Sequence, residues 1–198
     1  MTPQPDRMTP RQRLHATVLQ NPDIRAICKR WSAVNLPDAW LVAGALAQTV
    51  WNARFGLPPG HGISDIDLIY FDPGDLTAAA EQAQAARIRA LFPDVAPWID
   101  VKNEARVHLW YAAKFGFAIR PYRSSRDAID SFPSTATTLA LRPAPHGPAL
   151  HAPFGLDDLF AGVVRPNKRL ITAAIYAAKV ARWRACWPGL DIRCWDDP

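Results

Sequence analysis

Asp65 and Asp67 stand two residues apart in a stretch where Ile66, Leu68 and Tyr70 alternate with Asp65, Asp67, Ile69 and Phe71. Alternation with a period of two marks a β-strand, so the two carboxylates share one face, about 7 Å apart along the chain. Asp100 lies in a second such stretch, Trp98 to Lys102, where it shares a face with Lys102 while Ile99 and Val101 take the other. A carboxylate on a neighbouring strand comes within about 5 Å laterally. Three carboxylates crowded in this way repel one another unless a hard cation neutralises them. Magnesium suits the set, because it takes oxygen ligands in octahedral geometry and keeps positions open for substrate phosphates. A pair of such ions can stabilise both the attacking and the leaving oxygen of an in-line displacement at phosphorus. An Asp-x-Asp pair is also common on a solvated strand edge. Aspartate is nevertheless poorly suited to strands, and two of them among Ile66, Leu68 and Ile69 require a reason.

The elements that would position these residues are legible from spacing. Residues 14 to 33 read as a helix broken at Asn21 and Pro22, which make an N-cap and a first helical residue for a second segment with Ile24, Ile27, Cys28 and Trp31 on one face. The apolar run Ala39 to Ala43 ends at Gly44 and suits a buried strand turning tightly into a helix from about Leu46 to Phe55. Gly56 to Gly62, with Pro58, Pro59 and Gly60, is a loop. Beyond the first Asp strand, Asp72 to Asp75 is a turn and Leu76 to Phe92 a surface helix. A helix from Glu104 to about Lys114 stops at Gly116. Ser124 or Ser125 caps a helix through Ile129, Thr135 to Leu141 reads as strand, and Ala144 to Ala152 as loop or hairpin. Leu156 to Val163 reads as a short helix. Asn167 is expected to cap a final helix to about Trp187, with an apolar stripe of Leu170, Ala173, Ala174, Ala177, Val180 and Ala181.

The 198 residues suffice for one domain with one substantial core. The expected organisation is a polar, flexible tail over residues 1 to 13 and a single domain over residues 14 to 198. With 49% hydrophobic and 21% charged residues, and no apolar run near the length of about 18 that a membrane helix needs, no membrane association is expected. The start of the chain lacks a signal-peptide pattern, and Cys28, Cys186 and Cys194 form neither a C-x-x-C pair nor an even set, so a cytoplasmic location is expected. The five histidines are scattered and suggest no metal centre of their own. A net charge of +5 is compatible with a nucleotide or nucleic acid without selecting either. Arg120, Arg123 and Arg126 form a basic cluster that could meet a triphosphate, although solvated arginines are commonplace.

Ser64-Asp65-Ile66-Asp67-Leu68, preceded by the strand ending at Gly44 and by Val50-Trp51-Asn52, resembles the signature of the nucleotidyltransferase superfamily, which includes DNA polymerase beta and the aminoglycoside nucleotidyltransferases. More closely, the chain resembles a bacterial family of nucleotidyltransferase-like proteins of unknown substrate. That likeness rests on Ala43-Gly44-Ala45, the block Asn103 to Tyr111, the block Ala152 to Phe160 and Arg165-Pro166-Asn167. It spans about residues 30 to 187. The resemblance implies an α+β fold, a mixed sheet of about five strands flanked by helices with a C-terminal helix. It implies Asp65, Asp67 and Asp100 as the catalytic and metal-binding residues, with Mg2+ or Mn2+ as cofactor. It implies Gly44, Ala45 and Ser64 as nucleotide-binding residues; Lys102, which shares the face of Asp100 and could contact a phosphate or only balance carboxylates, and Asn103 and Arg106, which follow that strand and could reach a phosphate or base although an arginine on a helix is more often solvated, complete the nucleotide-binding set. A nucleoside triphosphate would be one partner and an unknown acceptor, whether small molecule, RNA or protein, the other. Superfamily members usually carry Gly-Ser at the turn, where hydroxyl and backbone N–H hold the terminal phosphate; Ala45 leaves only the N–H.

Two classes of function follow. The first is an enzyme moving a nucleoside monophosphate from a nucleoside triphosphate to an acceptor hydroxyl. The second is a binding module of the same fold that has lost turnover, a reading suggested by Ala45. A haloacid-dehalogenase-type phosphatase fits less well, because His61-Gly62-Ile63-Ser64 precedes Asp65 where an apolar strand is needed. A sugar-nucleotide glycosyltransferase would not require Asp100.

Overall fold

The computed structural model describes residues 8–145 and 147–197. Chain order gives α1 (Pro10–Val18), α2 (Pro22–Lys29), β1 (Trp40–Val42), α3 (Gly44–Phe55), β2 (Asp65–Tyr70), α4 (Ala78–Leu91) and β3 (Trp98–Asn103). It continues with α5 (Val107–Phe115), α6 (Ser125–Ile129), β4 (Ala140–Arg142), β5 (Ala149–His151), α7 (Asp157–Ala161), β6 (Val163–Val164), α8 (Ala173–Cys186) and β7 (Asp191–Ile192). Five strands form a mixed sheet in the order β3-β2-β1-β4-β5, in which only β2 and β3 run parallel; β6 and β7 pair separately. The architecture is the expected α+β sheet flanked by helices.

The strand alternation divides the residues between two faces. Leu41, Ile66, Leu68, Tyr70, Ile99, Val101 and Leu141 enter the main core with Leu14, Val18, Ile24, Ile27 and the buried residues of α3 and α4. The opposite face is only partly covered, by a small cluster of Trp40, Val42, Ile69, Ile129 and Ala140. Asp65 and Asp67 project from β2 on this second face. The outer edge of β3 is protected by α4, whose Arg89 Nε donates to the Ile99 carbonyl at 2.9 Å and whose Glu81 carboxylate accepts from the Asn103 N–H at 2.8 Å.

Local signals act as expected at several ends. The Asn21 side chain caps α2, accepting from the Asp23 and Ile24 N–H groups, and its amide donates to the Pro59 carbonyl. Ser124 caps α6, and Gly116 closes α5 in the left-handed conformation. Val50-Trp51-Asn52 ties α3 to the end of the chain: Trp51 meets Trp183 and Trp187 edge-on at 5.6 and 5.5 Å, and Asn52 accepts from Trp187 Nε1 at 2.6 Å. The segment 144 to 152 supplies β5 as the second strand of a hairpin with β4.

Four local expectations need correction. The first helix starts at Pro10, because Thr9 and Gln12 form a reciprocal capping box; residues 10–13 are therefore helical, and residues 1–7 lie outside the described residues. Thr135 to Thr137 form a 3-10 turn, since the Ser134 and Thr138 hydroxyls bond locally and divert the backbone from a ladder. Asn167 does not cap α8. Its amide donates to the Asp130 and Phe132 carbonyls, and Thr172 is the cap, five residues later. The inward stripe of α8 is Tyr176 and Trp183 with half-buried Ile175 and Val180, while Ala173, Ala174, Ala177 and Ala181 face outward. The bulkier side chains win the core because they remove more apolar area from water.

Candidate active site

The parallel pairing of β2 and β3 sets Asp67 directly beside Asp100, with Asp65 beside Trp98. Residues paired across a ladder point to the same face. The register therefore gathers Asp65, Asp67, Asp100 and Lys102 on the partly covered face of the sheet. Lys102 Nζ lies 3.0 Å from Asp100 Oδ1, and the Ser64 hydroxyl donates to Asp65 Oδ1 at 2.8 Å while itself accepting from Arg182 at 2.7 Å. Two of the three carboxylates are thus turned toward local partners. Among the described residues no three acidic, histidine or cysteine side chains stand closely enough to hold a metal ion as they are. Side-chain rotation about Asp65 and Asp100 is what convergence would require. The donor set is all oxygen, which suits a hard divalent cation such as Mg2+ or Mn2+.

Crowding already shows in the electrostatics. Asp67 keeps some exposed surface, yet protein surrounds it on most sides. Burial, then Asp65, then Asp100 push its carboxyl up to about 7, against opposition from Lys179 and Lys102. Lys179 of α8 keeps an exposed surface, yet the protein around it pulls it down, while Asp67 and Asp65 hold its charge in place. Glu104, immediately after β3, is pushed up to about 8 by burial first and by Asp67 and Glu81 next. Like charges held together in a poorly solvated place are stored repulsion that a cation can relieve.

The turn from β1 into α3 brings a helix N-terminus to the same place. Ala43 holds φ 53 and ψ −120, a conformation costly for any residue with a Cβ, and it is paired through its N–H to the Leu139 carbonyl. No side chain caps α3, so its first N–H groups are open. A Cβ at Gly44 would come 3.3 Å from Gln48 Nε2 and 3.9 Å from Asp67 Oδ2, which shows how closely backbone and carboxylate approach. Ala45 is buried and adds no hydroxyl. Gln48 is 5% exposed and its Oε1 has no partner, a polar group beneath the turn that sequence spacing did not single out.

Asn103 and Arg106 sit elsewhere. Ladder parity puts Asn103 on the face opposite Asp100, beside Tyr70. Its side chain accepts from the Asp72 and Ala105 N–H groups and donates to the Asp72 carbonyl at 2.8 Å. Arg106 pairs with Glu81 at 2.6 Å and donates to the Leu76 carbonyl. Both brace β3 against the turn after β2, and neither faces the carboxylates. In the arginine cluster, Arg123 and Arg169 meet Asp127, and Arg126 lies over the Trp40 ring at 5.4 Å.

Comparison with known proteins bears on the family and the fold. A family model described as Nucleotidyltransferase matches residues 29–192. The chain belongs to that family. It is also similar to a solved structure described as "The NMR structure of the protein reveals a CCA-adding enzyme head domain", at 26% identity, covering 92% of this chain and 95% of that one, with a TM-score of 0.77. Among curated proteins none matches. Gly44 opens α3 directly after β1, and β1 runs antiparallel to β2, with Val42 paired with Asp67. No described helix is long and apolar enough to cross a membrane.

Proposed function

We propose that the chain transfers a nucleoside monophosphate from a nucleoside triphosphate to an acceptor hydroxyl. The observation that carries this reading is the register pairing Asp67 with Asp100, which lines three carboxylates along one face beside the open N-terminus of α3. Family membership supports nucleotidyl transfer in general. In the reaction the acceptor oxygen forms a bond to the α-phosphorus as the bond to pyrophosphate breaks, and the hydroxyl proton passes to a nearby carboxylate, a role this reading assigns to Asp100.

Asp65 and Asp67 would hold Mg2+ or Mn2+, with Asp100 completing one site. When bound, the metal neutralises charge on the phosphates and on the oxygens entering and leaving phosphorus. The chain's own part is positioning. The Gly44 and Ala45 N–H groups and the α3 dipole favour the terminal phosphates. Lys102 and Lys179 add positive charge near the carboxylates, and Ser64 fixes Asp65.

The competing reading, a nucleotide-binding module without turnover, draws on Ala45 and on the engagement of Asp100 with Lys102. Incubation with each α-labelled nucleoside triphosphate, Mg2+ or Mn2+ and cell extract separates the two. The enzyme reading expects label to move onto an acceptor, only with metal and not in Asp67→Asn. Triphosphate binding with no transfer to any fraction would favour the module.

A further inference from the structure

A cavity of about 200 Å³ adjoins the carboxylate face, with Lys102 and Lys179 among its lining residues. Lys102 contacts Asp100, and the charge of Lys179 acts on Asp67 and Asp65, so the cavity lies next to the reacting centre. Its walls include Val107, Trp110, Tyr111, Phe115, Phe132 and Ile175. Glu104 is the exception among them. It is 7% exposed, lines the cavity, and its carboxyl group makes no hydrogen bond or ion pair among the described residues. Two other hydroxyls in the wall, those of Tyr122 and Ser131, are engaged with each other at 2.7 Å.

We propose that this cavity is the nucleobase subsite, in which the Glu104 carboxyl group accepts hydrogen bonds from the N–H edge of the base. The inference rests on the nucleotide reading above. A cavity of about 150 Å³ accommodates benzene, so this one takes a single substituted or fused ring and leaves sugar and phosphates outside, toward the lysines. Aromatic walls hold any base by stacking, and one buried acceptor in an apolar pocket supplies the choice among bases. Exocyclic amino groups and ring N–H groups are the donors that the carbonyl oxygen of a carboxyl group recognises on a base. With no protein partner among the described residues, the carboxyl oxygens are left to solvent in the cavity, and a ring that offers matching donors replaces that solvent. A ring on the acceptor could offer the same donors, and the test distinguishes the two.

The experiment is calorimetric titration of the protein in Mg2+ with ATP, GTP, CTP, UTP and inorganic tripolyphosphate. The proposal expects at least one nucleotide to bind tenfold or more tightly than tripolyphosphate. Glu104→Leu, which removes the acceptor oxygen, and, separately, the cavity-filling Ile175→Trp should reduce that preference at least fivefold while tripolyphosphate binds as before. A preference that survives both substitutions overturns the proposal; if label transfer to extract is lost at the same time, the ring belongs to the acceptor. Equal binding of all four nucleotides and tripolyphosphate also overturns it while leaving the carboxylate site intact. Absence of tripolyphosphate and nucleotide binding alike would instead refute the nucleotide reading, and this inference with it.

Discussion

Asp67 titrates near neutrality because burial, Asp65 and Asp100 all penalise its charge. Its folded value is about 7 against 3.8 for the free group, so between those values the folded chain holds a proton that the unfolded chain has released. Stability linked to this group therefore falls as pH rises from about 4 to about 7 and stays low above that. Glu104, at about 8 against 4.5, has the same sign and extends the slope upward. In metal-free protein, Asp67→Asn should raise stability at pH 8 by on the order of 1 kcal/mol and flatten the Asp67 part of the slope. Urea unfolding at pH 5.5 and pH 8 checks this; a mutant less stable at pH 8 would make Asp67 a structural residue. The strain at Ala43 gives a second expectation. Glycine there relaxes the backbone, so Ala43→Gly should gain about 1 kcal/mol despite the added freedom of the unfolded chain. The two aspartates of β2 and the one of β3 were legible from alternation because parity is a property of sequence alone. Lys179 and Gln48 were not, since their proximity to the site depends on how α8 and α3 dock.

At the level of elements, the division of β3 into two faces decides which of its residues can act. Asp100 and Lys102 face the site, while Asn103 is 1% exposed on the other side and secures the turn after β2. The alternation of Trp98 to Lys102 already contained this parity, but the position of Asn103 directly after the Asp100 strand drew it into the nucleotide-binding set. Asn103→Ala should therefore lower stability by about 2 kcal/mol, because the buried groups it pairs are left unsatisfied. Thermal melting alongside nucleotide titration checks it: unchanged melting with weakened binding would place Asn103 in the site after all. Helix ends with a strong local cap, Asn21 and Ser124, were readable from sequence. The start of α8 was not, because Asn167 and Thr172 are both competent caps and tertiary bonds to Asp130 and Phe132 occupied the first.

Across the whole molecule, the main core runs from Leu14 in α1 to Leu190 near the end of the chain. The capping box between Thr9 and Gln12 starts α1, and the stacking of Arg13 over Phe160 at 4.2 Å links α1 to α7. A chain beginning at residue 14 should lose about 2 kcal/mol in one cooperative transition, readable by circular dichroism and fluorescence together. A separate low-temperature step would mean that α1 folds apart from the sheet. The sheet, its order of elements and the carboxylate face serve one account, that Asp65, Asp67 and Asp100 gather a divalent cation where a triphosphate meets the α3 N-terminus. Its most direct test is paramagnetic broadening of the backbone amide spectrum by Mn2+ in the presence of a nucleoside triphosphate. The account predicts that signals of residues 43–46, 64–68 and 99–101 broaden first, that excess Mg2+ restores them, and that Asp67→Asn abolishes the effect. Broadening centred elsewhere, or unchanged in Asp67→Asn, would contradict it.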